Sequence, residues 1–121
     1  MTSAAHIDKA IGAHGMWKSR LKMAIDTGKI DAPLPTISAD NKCAFGEWLY
    51  GAEVTPAQKA SPHYQKVRTL HAAFHKQAAK VAEFATKGQK AEALKSIGLQ
   101  GDYAKASAEL TTAMREWKAA L

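Results

Sequence analysis

A chain of 121 residues can enclose one hydrophobic core, and it is too short to hold a second, output domain beside that core. The net charge of +6 could indicate a nucleic-acid partner, but the lysines are scattered among acidic residues without a dense cluster or an aromatic platform. We therefore predict one domain over residues 1–121, with its charges on solvated helix faces and no nucleic-acid partner.

The cysteine content and hydropathy bear on the cellular location. The single cysteine, Cys43, excludes an internal disulfide, as is typical of proteins in a reducing compartment. No apolar run approaches the length that spans a bilayer, and the first residues lack the basic and apolar regions of a signal peptide. We expect a cytoplasmic protein without direct membrane insertion.

The first predicted element is a long helix from about residue 3 to residue 27, ended by Gly28. Glycine suits the left-handed conformation that commonly follows a helix. His14 lies within an apolar series of helical spacing, so we expect it on the face directed to the core. The series consists of Ile7, Ile11, Trp17, Leu21 and Ile25.

Residues 29–39 contain two prolines and are predicted to form a connector that is not helical throughout. Asp40 is a suitable N-cap for a short helix that runs to Tyr50 and is closed by Gly51. This assignment places Cys43 in the first turn. Backbone N–H groups and the helix dipole favour a thiolate there, which is the form that ligates a metal.

Two cap-and-proline pairs, at residues 55–56 and 61–62, predict a short helix or turn and then a long helix to about residue 87, ended by Gly88. His71 and His75 lie four residues apart within its apolar series, which puts both rings on one face about one turn apart. The series consists of Val67, Leu70, Phe74, Ala78 and Val81.

The last region, residues 89–121, is predicted to be helical with a break near residues 98–101. Its apolar stripe reaches Leu121 without a capping residue, as in a helix that continues in a longer protein. The elements together predict an all-α fold, a four-helix-type bundle with a short extra helix that carries the cysteine. The stripe consists of Tyr103, Ala106, Leu110, Met114, Trp117 and Leu121.

Three histidines and one cysteine are candidates for a zinc site. Burying a histidine is costly unless its nitrogens are satisfied, and three of them on two core-facing stripes favour a shared partner. A thiolate and three imidazoles suit tetrahedral Zn²⁺. The alternative is a separate hydrogen bond for each histidine. The predicted ligands are His14, Cys43, His71 and His75.

The two other histidines and the nearby aromatic residues have different expected roles. His6 lies near the start of the first long helix, and His63 lies at the start of the second long helix. Neither shares the stripe position of its neighbouring candidate histidines, so we do not predict them as ligands. Trp17, Trp48 and Phe74 are expected to pack around the site.

Three motifs resemble those of the chemoreceptor zinc-binding (CZB) domain family. They are HGMWKSRL from His14, CAFGEWLY from Cys43, and HAAFH from His71 to His75. The resemblance extends over about residues 7–117 and implies that these three histidines and the cysteine bind zinc. The domain over residues 1–121 is accordingly interpreted as one CZB-like zinc-binding sensor domain.

The resemblance also implies a function. Members of the family are bacterial cytoplasmic modules that act with chemoreceptors, diguanylate cyclases and similar outputs, in cis or in trans. The resemblance implies that this protein is a homodimer and controls chemotaxis or cyclic-di-GMP signalling in response to zinc. It further implies sensing of hypochlorous acid through redox chemistry at Cys43.

Several other functions are compatible with a zinc site or a helical bundle. Four protein ligands leave no position for an activated water, and no catalytic motif is present, so we do not expect an enzyme. A structural zinc staple in a helical dimerisation domain and a zinc-buffering protein remain alternatives. A carboxylate-bridged or haem-binding bundle is not expected, because the glutamates at positions 83, 92, 109 and 116 lie outside the apolar stripes.

Overall fold

The computed structural model of the protein describes residues 2–121, which contain seven helices and no strand. This arrangement confirms the predicted all-α fold. The helices are α1 (Ser3–Thr27), α2 (Leu34–Ser38), α3 (Ala44–Tyr50), α4 (Pro56–Lys59), α5 (Pro62–Thr86), α6 (Lys90–Ile97) and α7 (Asp102–Ala119).

Helix α5 lies at the centre of the bundle, in contact with α1, α2, α6 and α7. Its apolar residues point into the core as their spacing predicted, and only Leu70 of that series is half-buried. Burial of these side chains against the neighbouring helices holds the bundle together. Fully buried side chains include Leu21, Leu49, Val67, Phe74, Val81 and Met114.

The ends of the long helices follow the predicted signals. Gly28 and Gly88 have φ angles of 74° and 75°, the left-handed region that ends a helix and favours glycine. The hydroxyl groups of Thr55 and Ser61 accept hydrogen bonds from backbone N–H groups of α4 and α5. These caps set the start of α5 and therefore the direction in which its histidines project.

Residues 34–38 form a short helix, α2, within the predicted connector, and the rest of residues 29–39 is non-helical, as expected for a segment that is not helical throughout. One local prediction was wrong. Helix α3 begins after Cys43, which is itself the N-cap, so Cys43 does not lie in the first turn. The predicted cap, Asp40, instead accepts a hydrogen bond from the Tyr50 hydroxyl at the far end of α3. Its carboxylate is therefore engaged elsewhere.

The last helix has the predicted buried stripe with two exceptions. Tyr103, Leu110, Met114 and Trp117 are buried, Ala106 is half-buried, and Leu121 is 56% exposed because it follows the end of α7. Within residues 2–121, none of the helices combines the length and apolarity that crossing a membrane requires.

Candidate metal centre

The four predicted ligands come together where α1, α3 and α5 meet. His14 projects from the middle of α1, Cys43 is the N-cap of α3, and His71 and His75 occupy successive turns of α5. One potential ligand atom from each residue lies within 4.8 Å of the others. This group of side chains could hold a metal ion.

The distances between the ligand atoms suit a small tetrahedral ion. The Nε2 atom of His71 lies 3.1 Å from that of His14 and 3.0 Å from that of His75. The Sγ atom of Cys43 lies 3.4 Å from Nε2 of His71 and 3.5 Å from Nε2 of His75. Ligands around tetrahedral zinc are separated by about 3.3 Å for two nitrogens and about 3.6 Å for nitrogen and sulfur. These four separations are shorter than this by only a few tenths of an ångström, and all the ligand atoms lie within 4.8 Å of one another.

Backbone carbonyls orient two of the three imidazoles. His14 donates its Nδ1–H to the Ala10 oxygen at 2.7 Å, and His75 donates its Nδ1–H to the Ile37 oxygen at 3.0 Å. A carbonyl oxygen only accepts, so Nδ1 carries the proton and Nε2 of each ring presents a lone pair to the cluster. Such a contact is a common way to fix the tautomer of a metal-binding histidine.

His71 lies between the other two imidazoles and has a different environment. Its Nδ1 atom is buried without a hydrogen-bond partner among the residues that the structure describes. Its Nε2 faces the lone pairs of both His14 and His75, and a single proton there could not satisfy both neighbours equally well. When the Nε2 lone pairs of buried imidazoles point to one place, a shared cation satisfies them better than a separate hydrogen bond for each ring.

Burial keeps the imidazoles neutral. It lowers the pKa of His14 to about 4, although the Ala10 carbonyl opposes the shift. Burial, followed by repulsion from the neighbouring imidazoles of His75 and His14, lowers the pKa of His71 to about 2. The pKa of His75 is also lowered, again mainly by burial. Neutral imidazole is the form that binds a metal.

Cys43 is the ligand that solvent can reach. It is half-buried, while the three histidines are at most 5% exposed. The Gly46 N–H donates to Sγ at 3.4 Å, but burial outweighs this contact and raises the pKa of the thiol. The metal-free protein therefore favours the thiol, and a bound cation would favour the thiolate.

Aromatic side chains surround the imidazoles. The ring centroid of Phe74 lies 5.1 Å from that of His14, and the Trp17 centroid lies 6.4 Å from that of His75. Sequence reasoning missed Phe45, whose ring lies 5.1 Å from His71 and 5.9 Å from His14. Its position two residues after Cys43 was the available signal.

Trp48 and the two remaining histidines lie outside this first layer of contacts. The Trp48 ring stacks on His6 at 4.8 Å and packs against Phe45 and Trp117. The Nε2 atom of His6 lies 3.2 Å from a carboxylate oxygen of Glu53. Neither His6 nor His63 belongs to the cluster of possible metal ligands.

The fold and the cluster define a helical bundle with a mixed imidazole and thiolate metal centre. Residues 14–82 match the sequence profile of the chemoreceptor zinc-binding domain, and the chain belongs to this family. The match begins at His14 and includes the other three residues of the cluster. Its zinc-binding character agrees with the donor set found here. Neither the curated proteins nor the solved structures contain a significant match.

Proposed function

We propose that the protein is a regulatory sensor module in which His14, Cys43, His71 and His75 bind one zinc ion. The observation that carries this proposal is the convergence of four ligand atoms within 4.8 Å. The carbonyl contacts of His14 and His75 support it, because they present both Nε2 lone pairs to the same point. Zinc held there would supply a cross-link between helices and a positive charge that stabilises a thiolate.

A regulatory role suits this donor set better than catalysis. The family is named for zinc binding and for chemoreceptors, and not for a catalytic activity. Four protein ligands fill a tetrahedral shell and leave no site for substrate or activated water. We therefore propose that the protein is not an enzyme.

The site can regulate because it connects separate parts of the bundle. Cys43 contributes the start of α3, and His14 contributes the middle of α1. His75 adds a hydrogen bond from α5 to the carbonyl of Ile37, which ties α2 to the same place. Loss of Cys43 as a ligand would loosen α3 first, because Cys43 is the only one of the four proposed ligands at this short helix.

Oxidation of Cys43 is one proposed input. The Cys43 thiolate attacks the chlorine of hypochlorous acid, which forms an S–Cl bond and releases hydroxide. Water then displaces chloride from sulfur and gives sulfenic acid, chloride and a proton, so that sulfur has lost the two electrons that chlorine gained. Sulfenic acid is a weaker ligand than thiolate. Zinc occupancy itself is the second proposed input.

Hydrogen exchange tests whether either input changes the conformation. Hypochlorous acid below one equivalent should produce trappable sulfenic acid at Cys43 and faster exchange over residues 40–50, and a zinc chelator should also increase exchange there. Cys43→Ser is the control for the oxidant and should show no oxidant-dependent change. If both treatments leave residues 40–50 as protected as before, the sensor proposal is wrong and a structural zinc staple is the better explanation.

The proposed sensor acts as a homodimer in the cytoplasm and passes its state to a chemoreceptor or cyclase output. Exposed methionines support self-association, since Met16 and Met23 lie two turns apart on α1 and are each 68% exposed. Light scattering should give a dimer at micromolar concentration. The double variant Met16→Glu with Met23→Glu should be monomeric. The control is Leu99→Glu, at a residue that lies outside α1 and is 99% exposed, and this variant should stay dimeric. A monomeric wild-type protein would contradict this part of the proposal.

Zinc affinity distinguishes the sensor from its two rivals. A structural staple would remain saturated over the whole range of cellular free zinc, and a sensor of zinc would change occupancy within that range. A zinc buffer would also change occupancy within that range. In a buffer, however, the change at residues 40–50 would not alter the activity of an attached output domain. Competition with a chromophoric chelator measures the affinity directly.

A further inference from the structure

A cavity of about 180 Å³ lies beside the metal centre, between the first half of α1 and the start of α3. Two of the four cluster residues, His14 and Cys43, line it, while His71 and His75 do not. Lys9, Ala13 and Trp17 from α1 and Phe45 from α3 also contribute to its wall. The cavity thus joins the outside of the bundle to the one ligand that is only half-buried.

The size and wall of the cavity restrict what it can hold. A volume near 180 Å³ lies below the roughly 300–1,000 Å³ of pockets for drug-sized ligands, so only smaller molecules fit. Alanine and aromatic side chains make most of the wall apolar. Lys9 supplies a positive charge to the lining, which also includes His6, and none of the lining residues that the structure describes carries a carboxylate. Small molecules that are neutral or anionic fit this environment better than cationic ones.

We propose that this cavity is the binding site and access route through which small neutral or anionic thiol-reactive molecules reach the Cys43 sulfur. The inference rests on the proposed function, because it names the class of molecule that reaches the proposed redox site and the path it takes. On another side the sulfur faces the buried imidazoles of His71 and His75, whose Nε2 atoms lie 3.4 and 3.5 Å from it. The rate of reaction at Cys43 is therefore set by passage between α1 and α3.

Methanethiosulfonates of opposite charge provide matched probes. The Cys43 thiolate attacks their sulfenyl sulfur, a disulfide bond forms, and methanesulfinate leaves, so no other oxidant is needed. The sulfonatoethyl reagent is anionic, and the trimethylammonioethyl reagent is cationic and similar in size. Rates are measured by mass spectrometry on the zinc-loaded full chain. Each rate is divided by that of the same variant unfolded in denaturant, which removes intrinsic reactivity.

The first arm fills the cavity. Ala13→Phe places a ring at an exposed position of its wall and should slow both reagents by at least about tenfold. Ser19→Phe makes the same substitution at an exposed residue of α1 that does not line the cavity, and it should react like the wild type. Equal rates in Ala13→Phe and Ser19→Phe would overturn the proposed route.

The second arm changes the charge without altering packing, because Lys9 is exposed. The wild type should favour the anionic reagent, and Lys9→Glu should lower the anionic-to-cationic rate ratio by at least about fivefold at low ionic strength. Lys18→Glu, at another exposed position of α1 outside the cavity, should leave the ratio nearly unchanged. An unchanged ratio in Lys9→Glu would also overturn the proposal.

Zinc content separates failure of this inference from failure of the proposed function. The four variants alter none of the cluster residues, so each should retain one zinc per chain. Unchanged reaction rates with full zinc would reject the route and leave the zinc site intact. Absence of zinc from the wild type would reject the proposed function, whatever the reaction rates.

Discussion

The α-carbon of Gly46 lies so close to the Asp40 carbonyl that no side chain fits between them. A Cβ atom at this position would be 1.8 Å from the Asp40 oxygen and 2.8 Å from its carbonyl carbon. The obstacle is backbone and cannot rotate away. Glycine therefore lets residues 40–43 fold against α3 and bring Cys43 to its N-cap position, where Gly46 also donates its N–H to the sulfur.

We expect Gly46→Ala to weaken zinc binding by roughly tenfold to a hundredfold, the range found when groups that orient metal ligands are altered. The added methyl group must displace the loop before α3, and Cys43 moves with it. Chelator competition measures the change in affinity. The matched control is Gly12→Ala, at an α1 residue with nothing within 4 Å of a new Cβ.

The control variant Gly12→Ala should stabilise the protein. Alanine is favoured over glycine inside a helix by about 1 kcal/mol, so Gly12→Ala should increase the free energy of unfolding and preserve zinc affinity. If Gly46→Ala binds zinc as tightly as Gly12→Ala does, the close contact with Asp40 does not position the cysteine.

Zinc removal should destabilise the whole bundle. The proposed ligands join α1, α3 and α5, and an ion that binds only the folded state at a thousandfold excess over its dissociation constant contributes about 4 kcal/mol. For a domain of this size we expect the melting temperature to fall by at least about 10 °C after chelation. Calorimetry with and without chelator measures it, and added zinc should restore the original value. A melting temperature that does not depend on zinc would contradict a site linked to folding.

Two buried tyrosines should respond in opposite ways to loss of the hydroxyl group. The Tyr103 hydroxyl is buried and has no hydrogen-bond partner among residues 2–121, and its burial raises the pKa of that group. Tyr103→Phe should therefore stabilise the protein by about 1 kcal/mol. The Tyr64 hydroxyl donates to the Leu49 carbonyl at 2.8 Å, so Tyr64→Phe should destabilise it by about 1 kcal/mol.

Urea unfolding of both tyrosine variants, at constant zinc, gives the two free-energy differences. Destabilisation by Tyr103→Phe as large as that by Tyr64→Phe would mean that the Tyr103 hydroxyl has a partner in solution, for example an ordered water molecule.

The sequence contained strong information about the long helices and the histidines. The apolar periodicity of α1 and α5 determines which face meets the core, so it also determines where His14, His71 and His75 project. Gly28 and Gly88 marked the helix ends through their left-handed conformation. These features depend on local spacing and on the backbone preference of a single residue.

Features that depend on tertiary contacts were harder to predict. Helix α2 spans five residues, too few for a periodic pattern, and its N-cap Pro33 makes no side-chain cap hydrogen bond. The backbone acceptors for His14 and His75 are carbonyls of Ala10 and Ile37, and the second lies 38 residues from its donor. Side-chain chemistry gives no indication of which distant carbonyl a ring will meet.

The identity of the N-cap of α3 depended on competition between two residues. Asp40 has the better intrinsic preference for a cap, but its carboxylate bonds to Tyr50, and Cys43 accepts from Gly46 instead. This outcome follows from the close approach of the Asp40 carbonyl to Gly46, which depends on the folded loop. The cysteine was correctly placed beside α3, although its exact position on the helix was not.

X-ray absorption at the zinc edge tests the central claim most directly, because it reports the number and kind of atoms bound to the metal. Protein purified without added zinc should contain one ion per chain, surrounded by three nitrogens at about 2.0 Å and one sulfur at about 2.3 Å. Cys43→Ser should lose the sulfur signal, and His63→Ala should keep the full pattern. A wild-type spectrum without sulfur, or loss of the pattern in His63→Ala, would contradict the proposed ligand set.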